Sequence, residues 1–566
     1  MNKFHSMKAP SGMVGKYICQ NGSVQYDQGN DQYVPVMMGV AYVDGFVIDP
    51  ATDTSSRIIT IIPCVPNMQP CRVRVEAKLL GNPKELDAVL SARGVIVFHA
   101  IHASKYLLAS SVEATKSGHS RELVKKPGWL AGHKAFFTGN KLIASNGIDV
   151  SAFWLECADV SVMGARGELC AWQAKIGVHI VANPIILAMV CISMASLFLD
   201  RLNVSSFLAN FFGEKGTGKT LAEQCAASVF GNGVDPAQGA HADHPAYVSR
   251  FNGTVNGCEK YLGRYSPMPI LFDELTEVSA SVINALCYMI ASGEGKIRML
   301  SNGEQAPRER WQSNVITSAE VSIADRITES GKQMLGGQAD RAIDIPITES
   351  RVLTHYGSFD SFHAVARHLK RNCGEVYGTA GEAIIQYCCD NPDVVNDLLE
   401  QASDIERELL PEGCGDGERR VVQRLAGAAA VGRIAVKARV FEEDAIGKID
   451  AAFKLVTELW WGARADALVR FRRFLDEHLD EIMEGKPDLD CEAVAFVDDD
   501  YIVVPTDVYN REFGEDARRM LDELKGLGIL KQQQDGRHMS RYCNNRFYGY
   551  TFVSKRVWTD EEQLVT

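Results

Sequence analysis

The stretch Gly213-Glu214-Lys215-Gly216-Thr217-Gly218-Lys219-Thr220 decides how this chain is read. It fits G-x-x-x-x-G-K-[ST], a loop whose backbone N–H groups wrap around nucleotide phosphates. The preceding run, Phe207-Leu208-Ala209-Asn210-Phe211-Phe212, is apolar and predicts a buried strand, and Leu221 to Phe230 predicts a helix. Strand, glycine-rich turn and helix N-terminus together make an anion site, because unpaired amides and the helix dipole point at the same spot. Gly213 to Thr220 are therefore expected to bind ATP.

The surroundings of the loop carry matching chemistry. Pro269-Ile270-Leu271-Phe272-Asp273-Glu274 is an apolar strand ending in two acids. In phosphate-loop motors the first acid holds Mg2+ together with the loop hydroxyl, here Asp273 with Thr220. Glu274 then polarises the water that attacks the γ-phosphate, which favours ATP hydrolysis coupled to work. A third strand, Asn314-Val315-Ile316-Thr317-Ser318, ends in hydroxyls, and either Thr317 or Ser318 suits a polar sensor beside that water. Arg341 follows Gly336-Gly337-Gln338-Ala339-Asp340 and opens the strand Ala342 to Ile347. From the edge of the nucleotide domain it is expected to reach a neighbouring subunit's ATP, a contribution of about 10³–10⁵ in rate. The active unit is then an oligomer.

Between the acid pair and the third strand lies Gly295 to Arg310. Asn302-Gly303 is a strong hairpin-turn signal, and Lys296, Arg298, Arg308 and Arg310 stand on its arms. A channel hairpin gripping DNA phosphates is expected. A strict two-residue turn opposes Arg298 with Pro307 and sets Lys296 and Arg298 on the face opposite to Arg308 and Arg310. Either Pro307 sits at a bulge, or only one pair touches the strand.

A length of 566 residues implies roughly three to four domains of about 150 residues. A net charge of −13 argues against a coat of basic surface and leaves room only for basic residues confined to a channel. The 15 cysteines show no C-x-x-C pair, so they are read as reduced thiols of a cytoplasmic protein. The start lacks an apolar signal segment. Ile185 to Leu199 is strongly apolar but short, and it ends at Asp200-Arg201, so it is expected as a buried helix with no membrane role. His241-Ala242-Asp243-His244 lacks further ligands at helpful spacing and is read as a loop. Trp460-Trp461 is read as core.

The expected architecture is an α/β multidomain protein. Residues 1–166 form a β-rich amino-terminal domain, with strands at Val34 to Met38, Arg57 to Ile62 and Arg72 to Val75. Turns are expected at Asp44-Gly45 and Gly139-Asn140, and a helix near Pro83 to Leu90. Residues 167–350 form a P-loop core, a parallel sheet with helices on both faces, and residues 351–484 form a helical lid. The linker Gly485-Lys486-Pro487-Asp488 opens a winged-helix-like domain, residues 485–566.

From Gly167 to Ile347 the chain resembles the family known as domain of unknown function 927. The resemblance rests on the phosphate loop, Leu271 to Leu275, Gly293 to Lys296, Arg310-Trp311, Ser318-Ala319-Glu320, Gly331-Lys332 and Arg341 to Pro346. It extends weakly to Gly128-Trp129, to Arg424-Leu425-Ala426-Gly427-Ala428-Ala429-Ala430 and to Leu521 through Gly536. It is looser over the amino-terminal region, and Ala319 stands where the family usually has glycine. What the resemblance implies is an AAA+ ATPase related to replicative helicases of mobile elements and phages. Arg424 is then the lid arginine that senses the γ-phosphate. The chain is expected to use ATP and Mg2+ and to assemble as a homo-oligomeric ring, a hexamer. It would thread single-stranded DNA past the hairpins and engage duplex DNA or replication proteins through its tail. A protein remodeller and a nucleotide-gated switch in a defence or regulatory complex remain alternatives.

Overall fold

Five strands form the central sheet: β1 (Leu208–Phe212), β2 (Ser249–Arg250), β3 (Ile270–Asp273), β4 (Val315–Ala319) and β5 (Ala342–Pro346). Their order is β2-β3-β4-β1-β5. The pairs β2–β3, β3–β4 and β4–β1 are parallel. Leu208 N donates to Arg341 O at 3.0 Å and Ile347 N to Phe212 O at 2.7 Å, which aligns β5 with β1. Strands covered on both faces read as continuous apolar runs, and Leu208, Ala209, Phe211, Val315 and Ile316 are all buried. Parallel alignment sends the carboxyl ends of β1, β3 and β4 to one edge, where open α/β sheets bind ligands.

The computed structural model describes every residue except 1–11, 157–162, 238–244, 251–252, 276–277, 300, 302, 304, 329–339, 348–350, 412–413, 415, 465–466, 488–492, 498–499, 515–516, 527–528, 532–538, 543–546, 554–556 and 558–566. Outside the described residues lie His241 to His244, Gly331-Lys332, the Gly336 to Ala339 run, Asn302 at the hairpin turn and part of the carboxy-terminal module.

The apolar segment after Gly167 is a core helix, α1 (Pro184–Ala195), with Ile185 to Ala195 all buried. Among the described residues no single helix is long and apolar enough to cross a membrane. The remaining core helices are α2 (Lys219–Ala227), α3 (Val255–Tyr265), α4 (Ala280–Ser292), α5 (Phe362–Glu375) and α6 (Asp416–Lys437). Among the described residues no two cysteines are joined in a disulfide.

The amino-terminal region holds two five-stranded sheets and a three-stranded one. Asp44-Gly45 is not a turn. It lies inside the strand Val40–Asp49, where the pairing with Thr54–Ile62 slips between Val43 and Gly45. A glycine within a strand commonly marks such a bulge. Gly139-Asn140 does join two paired strands, Ala135–Phe137 and Leu142–Ala144. A helix at Ala100–Ser117 was not expected. Its buried face is built largely from Ala103, Ser104, Ser110, Ser111 and Ala114, so the apolar period is faint in the sequence.

The chain forms two compact units, the second carried by Lys454–Thr566. In that unit Leu468, Phe471, Phe474 and Leu475 share one core with Ile502, Tyr509, Leu524 and Phe552. The Gly485 stretch therefore follows a strand of this unit, Ile482–Glu484, rather than preceding the unit. It also holds two helices, Thr506–Phe513 and Ala517–Gly526, and the antiparallel ribbon Met539–Tyr542 with Phe547–Val553, which belongs to one five-stranded sheet with Ile482–Glu484, Ala495–Val497 and Tyr501–Pro505.

Asn183 fixes the segment that leads into α5. Its side chain donates to His179 O and His355 O at 2.8 and 3.1 Å and accepts from Thr354 N and His355 N at 2.7 and 2.8 Å. It is fully buried, so removal strands several backbone groups. Asn183→Ala is expected to lose about 2–4 kcal/mol of stability, measured as a lower midpoint in urea unfolding.

Candidate nucleotide site

The phosphate loop closes through its glycines. Gly218 has φ +97°, and a Cβ there would lie 2.8 Å from Val352 Cγ2 and 3.3 Å from the Phe362 ring. Gly213 has φ +154°, and a Cβ there would fall on the Ile347 carbonyl oxygen. Lys219 Nζ donates back to Gly213 O at 2.6 Å and Glu214 O at 2.7 Å. Thr217 Oγ1 donates to Glu214 O at 3.0 Å, and Val352 N donates to Thr217 O at 3.0 Å. The loop is thus tied to the chain that enters α5.

Sheet register brings the other groups to the loop. Phe272 is level with Thr317, and Phe211 with Ser318. Asp273 Oδ1 accepts from Thr220 Oγ1 and from Ser318 Oγ, each at 3.1 Å. Of the two hydroxyls the sequence left open, Ser318 lines the cleft while Thr317 is fully buried within the sheet. Glu274 adopts φ +67° as the chain leaves β3, and it also lines the cleft.

The cleft has a volume of about 660 Å³ and is bounded by Lys215, Gly216, Lys219, Thr220, Glu274 and Ser318 on the loop side. Helix α5 supplies the opposite wall through His363, Ala366, Arg367 and Lys370. Burial pulls the Lys219 ammonium below the ordinary lysine range, opposed by Glu320, Glu274, Glu223 and Asp273, which face it. Among the described residues no set of three or more His, Cys, Asp or Glu side chains is arranged to hold a metal alone. Thr220 with Asp273 fits Mg2+, which commonly takes one or two protein ligands and completes its shell with phosphates and water.

Sequence reasoning missed three features here. Glu223 is fully buried one turn after Thr220. Burial and then the charge of Asp273 raise its carboxyl well above the usual range. A lone glutamate in the apolar run Leu221 to Ala227 was its signal. Glu320, one residue beyond β4, lines the cleft. The basic stripe on α5 is the third.

Arg341 and Arg424 lie elsewhere. The Arg341 carbonyl accepts from Leu208 N, at the amino end of β1 and about 15 Å of strand away from Gly213. Its guanidinium stands 5.7 Å from the centre of the Tyr288 ring. Arg424 is buried, donates to Asp340 O and, at 2.8 Å, to Ser205 Oγ, and burial pulls its guanidinium down to about 10. It does not line this chain's cleft. Arg424 instead ties α6 to the segments entering β1 and β5.

The hairpin also differs from expectation. Glu294 pairs with Arg310 and Met299 with Gln305, and Ala306 N donates to Arg298 O at 2.8 Å. Arg298 is thus opposed by Ala306 rather than by Pro307. Three of the four hairpin cations meet carboxylates. Arg298 forks onto Glu259 at 2.5 and 2.8 Å, with Glu259 only 1% exposed. Arg308 meets Glu294 at 2.7 Å. Lys296 is exposed, and Arg310 remains 73% exposed while 3.3 Å from Glu294.

Residues 27–310 match the family described as Domain of unknown function (DUF927). The chain belongs to this family. The match starts far upstream of Gly167 and stops at Arg310, so the DUF927 region includes most of the amino-terminal sheets, the phosphate loop, the acid pair and the hairpin. No curated protein sequence matches the chain. Among solved structures it is similar to one described as "SCCmec type IV Cch - active helicase", at 17% identity and TM-score 0.58, over 96% of this chain and 98% of the other. That likeness is one of fold: mixed α/β and multidomain. "The A form apo structure of NrS-1 C terminal region-CTR" aligns over 64% of this chain and 74% of its own, at 10% identity and TM-score 0.26, too distant to support an argument.

The Gly218 contacts give a direct test of the site. Gly218→Ala is expected to push Val352 and Phe362 off the loop and to reduce nucleotide affinity by at least about tenfold, read by titration with a fluorescent ATP analogue.

Proposed function

We propose that this DUF927 protein is an ATP-hydrolysing AAA+ motor that acts on DNA as a helicase or translocase. The observation that carries the reading is the meeting of Thr220, Asp273 and Ser318 within hydrogen-bonding distance beside the phosphate loop, with Glu274 in the same cleft. Gly213 to Lys219 cradle the phosphates with backbone amides, and Lys219 turns from the loop carbonyls to the nucleotide. Mg2+, held by Thr220 with Asp273, would neutralise charge on the phosphates. Glu274 takes the proton of the attacking water, and Ser318 orients that water.

Arg341 is proposed to act on a neighbouring subunit, since its own loop lies at the other end of β1. The working form is then a homo-oligomeric ring, a hexamer, with single-stranded DNA in its channel. Lys296 and Arg310 are the hairpin cations with the most access to phosphate, while Arg298 and Arg308 brace the arms. The carboxy-terminal unit, with its helix pair and ribbon, resembles a winged helix and would engage duplex DNA or a replication partner. The domain limits at 166 and 350 are proposed on the same footing, while the limit expected at 484 moves upstream to the start of the second unit at Lys454. The description of the SCCmec Cch structure as an active helicase supports a nucleic-acid substrate.

One observation favours protein remodelling instead: Ile297 and Met299 on the hairpin are 64% and 65% exposed, an apolar grip suited to polypeptide. Steady-state ATPase with and without single-stranded DNA, at low and moderate salt, separates the two. A DNA motor gives stimulation that fades as salt rises; turnover indifferent to DNA moves the assignment to a protein substrate. Glu274→Gln is expected to lower kcat by about 10²–10⁴, and Arg341→Ala by about 10³ or more, with nucleotide affinity of the Arg341 variant retained.

A further inference from the structure

We propose that Arg367 and Lys370 on α5 form the second half of the nucleotide site, clamping the polyphosphate from across the cleft in the same chain. This rests on the ATPase reading above. Helix α5 buries Phe362, Val365, Leu369 and Cys373, and that spacing turns His363, Ala366, Arg367 and Lys370 to the cleft, at i, i+3, i+4 and i+7. Its distance from the loop is set by direct contact, because Val352 bonds Thr217 and Gly218 abuts Val352 and Phe362. The wall and the loop are one assembly.

Charge balance calls for cations on that wall. On the loop side, Asp273, Glu274 and Glu320 face Lys219, so the floor is net negative before a polyanion arrives. Arg367 and Lys370 form no ion pair among the described residues, whereas their neighbour Arg371 meets Glu375 at 3.7 Å. Exposed cations that line this cleft can make charge-assisted, bidentate bonds to phosphate oxygens. The two side chains also border an adjoining cavity of about 460 Å³, lined further by Asp235 and Arg371, so the clamp stands where the cleft widens along α5. Arg341 and Arg424, at the far end of the sheet, leave this cation role in the chain's own cleft to α5.

The test is nucleotide affinity of the full chain, titrated with Mg·ADP and Mg·ATPγS for Arg367→Ala, Lys370→Ala, the double variant and Arg371→Ala. Each single removal is expected to weaken binding about tenfold, the double more, with Arg367→Lys recovering most of the loss. Arg371→Ala, which touches only the adjoining cavity, is expected to bind like the parent. Melting temperatures within error of the parent exclude a folding defect, as these side chains are exposed. Affinity of the double variant within twofold of the parent overturns the clamp. So does an equal loss in Arg371→Ala, which would mark a general field effect. A parent protein that binds neither nucleotide overturns the ATPase reading itself, an outcome distinct from the other two.

Discussion

The Asp273 carboxylate accepts hydrogen bonds from hydroxyls on two other elements, Thr220 at the start of α2 and Ser318 at the end of β4, both at 3.1 Å. Everything assigned to this protein depends on that meeting point. It requires β4 to lie between β1 and β3, all three parallel. It also requires the register in which Thr317 is level with Phe272. A one-residue slip would exchange Ser318 for Thr317 and turn the hydroxyl from the cleft into the sheet. The strands are buried and apolar, so such a slip would also expose core side chains. Packing thereby fixes the chemistry: the same burial that stabilises the sheet holds three polar groups at one edge.

Much of the core was legible because parallel buried strands advertise themselves. Each is a short apolar run bounded by polar residues, and β1, β3, β4 and β5 fall where Phe207 to Phe212, Pro269 to Glu274, Asn314 to Ser318 and Ala342 to Ile347 predicted them. The glycine-lysine loop needed no tertiary information, since its conformation is local. Other features depend on tertiary context. Choosing Ser318 over Thr317 requires strand register. Arg424 precedes the alanine-rich stretch within α6, a pattern that says nothing about which end of the sheet the helix serves. The hairpin register turned on one residue, since Arg298 is opposed by Ala306 rather than by Pro307. Helix Ala100–Ser117 hides its buried face behind serine and alanine, and the α5 stripe at His363, Arg367 and Lys370 looks in sequence like any solvated helix surface.

The cations divide by location. Lys219, Arg367 and Lys370 border the chain's own cleft, whereas Arg341 and Arg424 sit near the amino ends of β1 and β5. The first group suits ground-state binding within a subunit. Arg341, if it serves the next subunit, makes hydrolysis sensitive to assembly, because a finger placed across an interface acts only when the interface is closed. Glu259 and Glu294 hold the hairpin arms through Arg298, Arg308 and Arg310. Glu259 lies on α3 and Glu294 just beyond α4, so displacement of these helices would carry the hairpin with them.

The most direct measurement is a structure of the protein crystallised with Mn2+ and a non-hydrolysable ATP analogue, with the metal located by its anomalous signal. The predicted result is a metal about 2.1 Å from Thr220 Oγ1, beside Asp273, with the phosphates enclosed by the amides of Gly216 to Lys219. A nucleotide bound away from this loop, or a metal remote from Thr220 and Asp273, would contradict the assignment of this edge as the seat of ATP hydrolysis.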